Sequence, residues 1–378
     1  VRASSDLKPR DAPDPAYKNI SGDVMNRTTA VRGMLACGLA LAGWTAPALA
    51  QTSVTLYGRV ASGIDYQNNV APTATSPGGS LWRAADNQWG TSMFGFMGKE
   101  DLGGGLQAVF RLESGFGAAQ GKTNGDALFN RRSYVGLSSP TWGTLTAGKN
   151  LFISNDVWFL DPTGQQFIGS ATLVRGRNWP GANNIVEYQS PTWGGFQIGL
   201  QSGLGEQPGS FTNSRRDGVS AVYSAGPLEV RAIYDVIRDG NGKFSDIFNF
   251  SKEATVGGTY TIGKAKLFAV YENLSAPDAA AGAPTKANHY WLGINYELTP
   301  ALTLIGAAYR VNVNHGGGNA NLFMAGANYN LSKRTMLYAS VGTVQNSATA
   351  NFSVEATNNN PAPGKNQLGA YTGIVHSF

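Results

Sequence analysis

The stretch 228–236, LEVRAIYDV, puts Leu228, Val230, Ala232, Tyr234 and Val236 on one parity and Glu229, Arg231, Ile233 and Asp235 on the other. Strand side chains alternate faces, so this segment reads as a β-strand with one greasy side and one charged side. The alternation returns at 106–113, where Leu106, Ala108, Phe110 and Leu112 oppose Gln107, Val109, Arg111 and Glu113, and again at 54–65, 265–272 and 335–344. Turn signals separate the runs, among them Gly103, Gly104 and Gly105, then Gly226 with Pro227, and Thr299 with Pro300. Short connections (101–105, 225–227, 262–264) alternate with long polar ones (68–91, 117–128, 203–217, 239–251, 276–288, 312–320, 346–367).

These features predict about sixteen strands of roughly ten residues, the length that crosses a bilayer at a tilt. A soluble sandwich alternates too, but its strands run to about five or six residues and bury their apolar faces together. A closed antiparallel transmembrane barrel accommodates both faces, with lipid outside and water inside, and leaves no edge unpaired. In the first strand Val54, Leu56 and Val60 then meet lipid, while Thr55, Tyr57, Arg59 and Asp65 meet water.

The segment before that strand has the form of an export signal. Arg27 and Arg32 precede an apolar run from about Met34 to Ala50 that ends in Ala48, Leu49 and Ala50, a small-residue cleavage pattern. We therefore divide the chain into a leader of no structural content (1–24), a signal peptide (25–50) starting at Met25, and a barrel (51–378). Cys37 is the single cysteine and falls inside the signal, where apolar sequence continues past it, against a lipobox. The exported part then holds no thiol, which excludes disulfides, thiolate metal sites and a cysteine nucleophile. Removing the first 50 residues takes six cations and four acids from totals of 29 and 24, leaving a net charge of about +3, too mild for a nucleic-acid binder.

Several longer motifs are specific. SVTLYG at 53–58, EDLGGGLQAVFRLESGF at 100–116, LFNRRSYVGLSS at 128–139, GTLTAGK at 143–149, SPTWGGF at 190–196 and YNLSKRTMLY at 329–338 span the exported chain. Together they resemble the general trimeric porins of β-proteobacterial outer membranes. The last strand, with Tyr371 and the terminal Phe378, resembles the signal by which the outer-membrane assembly machinery recognises barrels. The resemblance implies a sixteen-stranded barrel, a homotrimer set in outer-membrane lipid and lipopolysaccharide, and passive diffusion of ions and small hydrophilic solutes. It also implies a third external loop folded into the lumen, with acids on the loop facing a basic wall.

Lipid-facing charge at mid-depth costs roughly 2–4 kcal/mol for Arg or Lys, so mid-strand cations should turn inward. Arg59, Arg111 and Lys149 have water-facing parity near strand middles or ends. Arg131 and Arg132 are adjacent, so a regular strand turns only one inward; family position favours Arg131, and parity leaves the choice open. Arg175 and Arg177 are expected to extend the wall from the end of the loop, and Asp156 and Asp161, the acids of 150–179, to face it. Where the family commonly carries basic residues, Met93 and Met97 stand here. Weak anion selectivity is the expectation.

Other chemistries find little support. His289, His315 and His376 lack the spacing of a metal site, no cofactor is called for, and Gly316 to Gly318 reads as a loop tip without a phosphate-binding context. Trp142 and Trp193 suit interfacial girdles. A barrel hydrolase would need a Ser/His set around His289, and an adhesin would need a plugged lumen; the sequence favours neither over a pore.

Overall fold

The computed structural model describes residues 53–378 other than positions 165 and 358, so the expected leader, signal segment and Cys37 lie outside the described residues. The strand segments are β1 (Ser53–Val70), β2 (Gly79–Asp86), β3 (Ser92–Gly103), β4 (Leu106–Gly117), β5 (Lys122–Thr123), β6 (Arg132–Ser139), β7 (Gly143–Leu151), β8 (Gly181–Gln189) and β9 (Phe196–Gly203). They continue as β10 (Arg216–Ala225), β11 (Leu228–Ile237), β12 (Lys252–Ile262), β13 (Ala265–Ser275), β14 (Lys286–Glu297), β15 (Leu302–Val313), β16 (Gly318–Asn330), β17 (Thr335–Asn346) and β18 (Gln367–Ser377).

Every pairing is antiparallel, and β18 returns to β1 in the register Arg59↔Ser377 through Gln67↔Gly369. Segments β2 and β3 lie end to end along β1, with Ser62↔Asp86 followed by Arg59↔Met93. Segments β5 and β6 do the same along β4, with Phe116↔Thr123 and Glu113↔Arg132. Counting each such pair as one stave, the sheet is a closed sixteen-stranded barrel. Closure gives every stave a neighbour on both sides, as a lipid environment requires, although the short segments β2 and β5 themselves pair only with β1 and β4. One difference from the sequence reading lies in 68–91: part of that long connection is the strand β2, whose alternation is masked by its short length and flanking loops.

Burial follows the predicted parity. Val54, Leu56, Val60 and Ile64 of β1 are exposed on the outside, whereas Tyr57, Arg59 and Asp65 are buried. In β11, Val230 and Tyr234 are exposed while Arg231, Ile233 and Asp235 are buried. Exposed Trp142, Trp193 and Phe196 gather at the short-turn end, and Trp82, Tyr271 and Tyr290 toward the other, giving two aromatic bands.

The apolar core lies inside the barrel. The segment after β7 forms two short 3-10 helices, Ile153–Leu160 and Thr172–Val174, and buries Phe152, Val157, Leu160, Ile168 and Leu173 completely. These pack with inward residues of the strands, including Ile233, Val270, Trp291, Tyr309, Leu322 and Tyr338. Polar contacts fix the segment's path: the Ile153 N–H donates to Gln201 (2.8 Å), Trp291 Nε1 donates to the Leu160 carbonyl (2.9 Å), and the Tyr371 hydroxyl donates to Gln166 (3.0 Å). Glycines make room for it. A Cβ at Gly218 would strike Ile153, and one at Gly293 would strike Pro162. The connection after β17 docks beside it, burying Phe352 and Val354, with the Ala356 N–H donating to the Phe167 carbonyl (2.7 Å).

Candidate functional site

Three inward arginines meet at one carboxylate. Strand alternation turns Arg111 and Glu113 of β4 inward, and the β4–β6 register sets Arg132 opposite Glu113 and Tyr134 opposite Arg111. Arg131 Nε and Arg132 Nη1 each donate to Glu113 Oε1 at 2.7 Å, and Arg111 Nη2 donates to Oε2 at 2.8 Å. Tyr57 closes the group: its hydroxyl accepts from Arg111 Nε (2.6 Å) and donates to Glu113 Oε2 (2.8 Å). Arg111 also lies 4.9 Å from the centre of the Tyr57 ring. Three guanidinium groups against one carboxylate leave this wall locally cationic, and charge-assisted hydrogen bonds hold it in place.

The choice between Arg131 and Arg132 dissolves. Arg132 is the inward strand residue and is fully buried, reaching Asn150 Oδ1 as well (3.2 Å). Arg131 precedes the strand, is freed from its parity, and turns to the same glutamate. Arg59 belongs to the neighbouring wall, with Nε donating to the Thr91 carbonyl (2.8 Å) and its guanidinium 5.6 Å from the centre of Trp89. Met93 and Met97 face inward beside it, opposite Arg59 and Thr55, so apolar side chains stand where the resemblance anticipates cations.

Other expected wall residues lie elsewhere. Lys149 stands opposite Ser133, on the other face from Arg132 and Tyr134, and donates to Asn183 (2.6 Å); a register shift after Gly148 accompanies this. Arg177 is fully buried, bridging Asp235 (2.7 Å) and Glu253 (2.8 Å) and bonding Ser251, so it braces the base of the segment behind its surface. Arg175 is exposed, 5.0 Å from the Phe352 ring centre and 5.6 Å from Phe248, and donates to Asn351 (2.6 Å).

The two acids also depart from the expectation. Asp156 pairs with Arg231 of β11 at 3.0 Å. Asp161 accepts from the Tyr309 hydroxyl (2.8 Å), the Thr163 N–H and hydroxyl (2.9 Å each) and the Ser170 N–H (2.7 Å). Both are buried anchors of the inward segment on β11 and β15, not partners of the Glu113 cluster in these contacts. Their short side chains are drawn to the nearest donors, which sequence spacing does not reveal.

Three groups were not singled out as site residues. Glu113 and Arg231 had inward parity but no assigned partner. Arg83 of β2 bridges Asp65 (2.7 Å) and Glu355 (2.9 Å), tying the connection after β17 to the wall. His289 pairs with Glu272 at 2.7 Å, fully buried, and among the described residues no group of three or more metal-ligating side chains is assembled.

Comparison with known proteins agrees with this architecture. The model of the Gram-negative porin family matches residues 36–349. An outer membrane porin protein of Bordetella pertussis is 32% identical over 356 residues, covering 81% of this chain and 92% of the relative. Outer membrane porin protein 32 of Delftia acidovorans is 28% identical over 371 residues, covering 90% and 98%. Among solved structures, an anion-selective porin from Comamonas acidovorans superposes with a TM-score of 0.74 at 26% identity, covering 87% of this chain and 100% of that one. A trimer form of OmpT from Vibrio cholerae shares the fold, with a TM-score of 0.63 at 16% identity, covering 86% and 99%. A closed barrel with a charged interior and lipid-facing apolar exterior, built on these motifs, belongs to the Gram-negative porin family, and the chain is an outer-membrane general diffusion porin.

Proposed function

We propose that this porin is a weakly anion-selective homotrimer whose narrowest passage runs between the Arg111, Arg131 and Arg132 wall and the inward segment 152–180, which serves as its third external loop. The single observation that carries the selectivity is the sharing of Glu113 by three arginines. A transverse field of this sign raises the local concentration of anions and lowers that of cations. Met93 and Met97, in place of cations, keep the preference weak. The similar Comamonas protein is described as anion-selective, and a Vibrio relative in fold as trimeric, which supports both parts of the reading.

The same reading makes the protein a passive channel without catalysis. It sits among outer-membrane lipids and lipopolysaccharide, and Phe378 offers the assembly machinery a terminal aromatic. Planar-bilayer recording in a KCl gradient tests it: conductance steps in threes with an anion-signed reversal potential are expected. A cation-signed potential would overturn the selectivity, and a monomer before heating on native gels would overturn the trimer.

A further inference from the structure

Lys149, expected on the wall, belongs instead to a polar cup at the rim. Strand β8 runs on past its neighbour: Gly181 and Ala182 pair with Leu151 and Asn150 of β7, but pairing with β9 begins only at Ile185↔Gly203. The gap holds a cavity of about 270 Å³ whose lining includes Lys149, Asn183, Asn184, Gly203, Ser214 and Arg216. It lies at the strand ends that carry the long connections, which mark the outside of such barrels. Gly203 keeps it open, because a Cβ there would sit 3.5 Å from the Asn183 carbonyl oxygen and 3.6 Å from the Arg216 Cβ.

Two half-buried cations reach toward the gap, one from each side. Lys149 Nζ donates to Asn183 Oδ1 (2.6 Å) from β7, and Arg216 Nη1 donates to the Gly181 carbonyl (2.8 Å) from β10. Both acceptors are neutral. The charge that bears most on Lys149 is the like charge of Arg216. Among the described residues no carboxylate lines the cup, and the acids around it are engaged elsewhere or turned away. Asp217 is on the other face of β10, where it holds Arg215 (2.8 Å) and Arg238 (2.9 Å). Asp235, the acid that bears on Arg216, is bonded to Arg177 (2.7 Å), which Glu253 also holds (2.8 Å). Glu187 accepts from Asn150 (2.6 Å) and Gln201 (3.0 Å), Asp239 accepts from Ser245 (2.6 Å), and Glu206 is exposed on the connection beyond.

Like charges brought together out of bulk water, each bonded to a neutral oxygen, are a costly arrangement until an anion joins them. An ion with several acceptor oxygens answers both cations at once through charge-assisted hydrogen bonds. The volume admits such an ion together with several waters, at roughly 30 Å³ each. We propose that the cup captures one tetrahedral oxyanion, phosphate or sulfate, between Lys149 and Arg216, with Asn183, Asn184 and Ser214 as polar neighbours. The site is separate from the Glu113 wall and uses none of its residues.

The test is acetylation of Lys149 by N-hydroxysuccinimidyl acetate in lipid-free refolded protein, read by peptide mass spectrometry, with inorganic phosphate exchanged for chloride at constant ionic strength. Occupancy protects by one plus the ratio of phosphate to its dissociation constant, so at about twice that constant Lys149 should react about threefold more slowly. The exposed Lys243 and Lys365 should react at unchanged rates. R216Q should abolish the protection, and G203V, which keeps both charges and fills the cup, should abolish it too. The reversal potential of R216Q should stay that of wild type. Protection that survives in both variants overturns the proposal, as does equal protection by chloride alone or at Lys243 and Lys365, which would be screening only. Protection by bisphosphoryl lipid A and not by phosphate would put a lipid head group there and overturn the free-ion site. A reversal potential altered in R216Q would make the pair part of the passage and overturn its separateness.

Discussion

Pro162 of the inward segment rests on Gly293 of β14, where the ring occupies the space any side chain would need. Overpacking of this kind typically costs 1–3 kcal/mol and forces the neighbour to move. Gly293→Val should therefore displace the segment and change single-channel conductance, and Gly218→Val should do the same from beneath Ile153. Gly306→Ala is the control, because its Cβ would meet only Ile294, at 3.6 Å. Equal conductance in all three would show that the segment does not set the passage.

Glu113 partly neutralises the guanidinium groups around it. Glu113→Gln should raise the anion-to-cation permeability ratio by about twofold or more, read from the reversal potential, because the three arginines lose the carboxylate they share. The variant should also unfold more easily, since three adjacent cations lose their shared partner. A shift toward cations would mean that solutes do not pass this wall.

Arg177 lies between Asp235 and Glu253 with no exposure worth the name. Arg177→Met leaves two buried carboxylates without their cation, a change that typically costs 3–5 kcal/mol. The urea midpoint of refolded protein should fall accordingly, while reversal potential in protein still folded stays near that of wild type. A large selectivity change at constant stability would assign Arg177 to the pore surface.

The connection after β17 carries a pH dependence. Burial, and then the charge of Asp65 beside it, push the Glu355 carboxyl up to about 9, against the pull of Arg83. A carboxyl raised in the folded state contributes stability that is fully present below its unfolded value of about 4.3 and is lost as pH rises through the folded one. Docking of 347–366 should thus weaken between about pH 4 and 9. Trypsin cleavage after exposed Lys365, normalised to an unstructured substrate, should accelerate toward pH 9, and Glu355→Gln should flatten the profile. A wild-type profile as flat as the variant's would contradict this.

The barrel was legible because lipid and water impose a period of two on every stave, and Val54, Leu56, Tyr57 and Arg59 carry it without help from distant residues. Arg111 and Glu113 followed from the same rule. Partnership did not. Asp161 and Tyr309 are separated by 148 residues, and Arg83 and Glu355 by 272, so their pairing depends on how connections fold back across the interior. Arg131 escaped parity because it lies one residue outside β6. The β2 segment was hidden because eight residues between loops give alternation little room to show.

The seam between β1 and β18 joins the first and the last of the described strands. Asn68 accepts from the Leu368 N–H across 300 residues, and Gly58 and Phe378 exchange backbone hydrogen bonds at 3.1 and 3.0 Å. Neighbouring hairpins elsewhere can form as soon as both strands exist, whereas this pairing requires the largest loop closure in the molecule. Until the final strand arrives, β1 presents an open edge, and assembly behaves as a zipper whose last tooth decides whether there is a cylinder or a sticky ribbon.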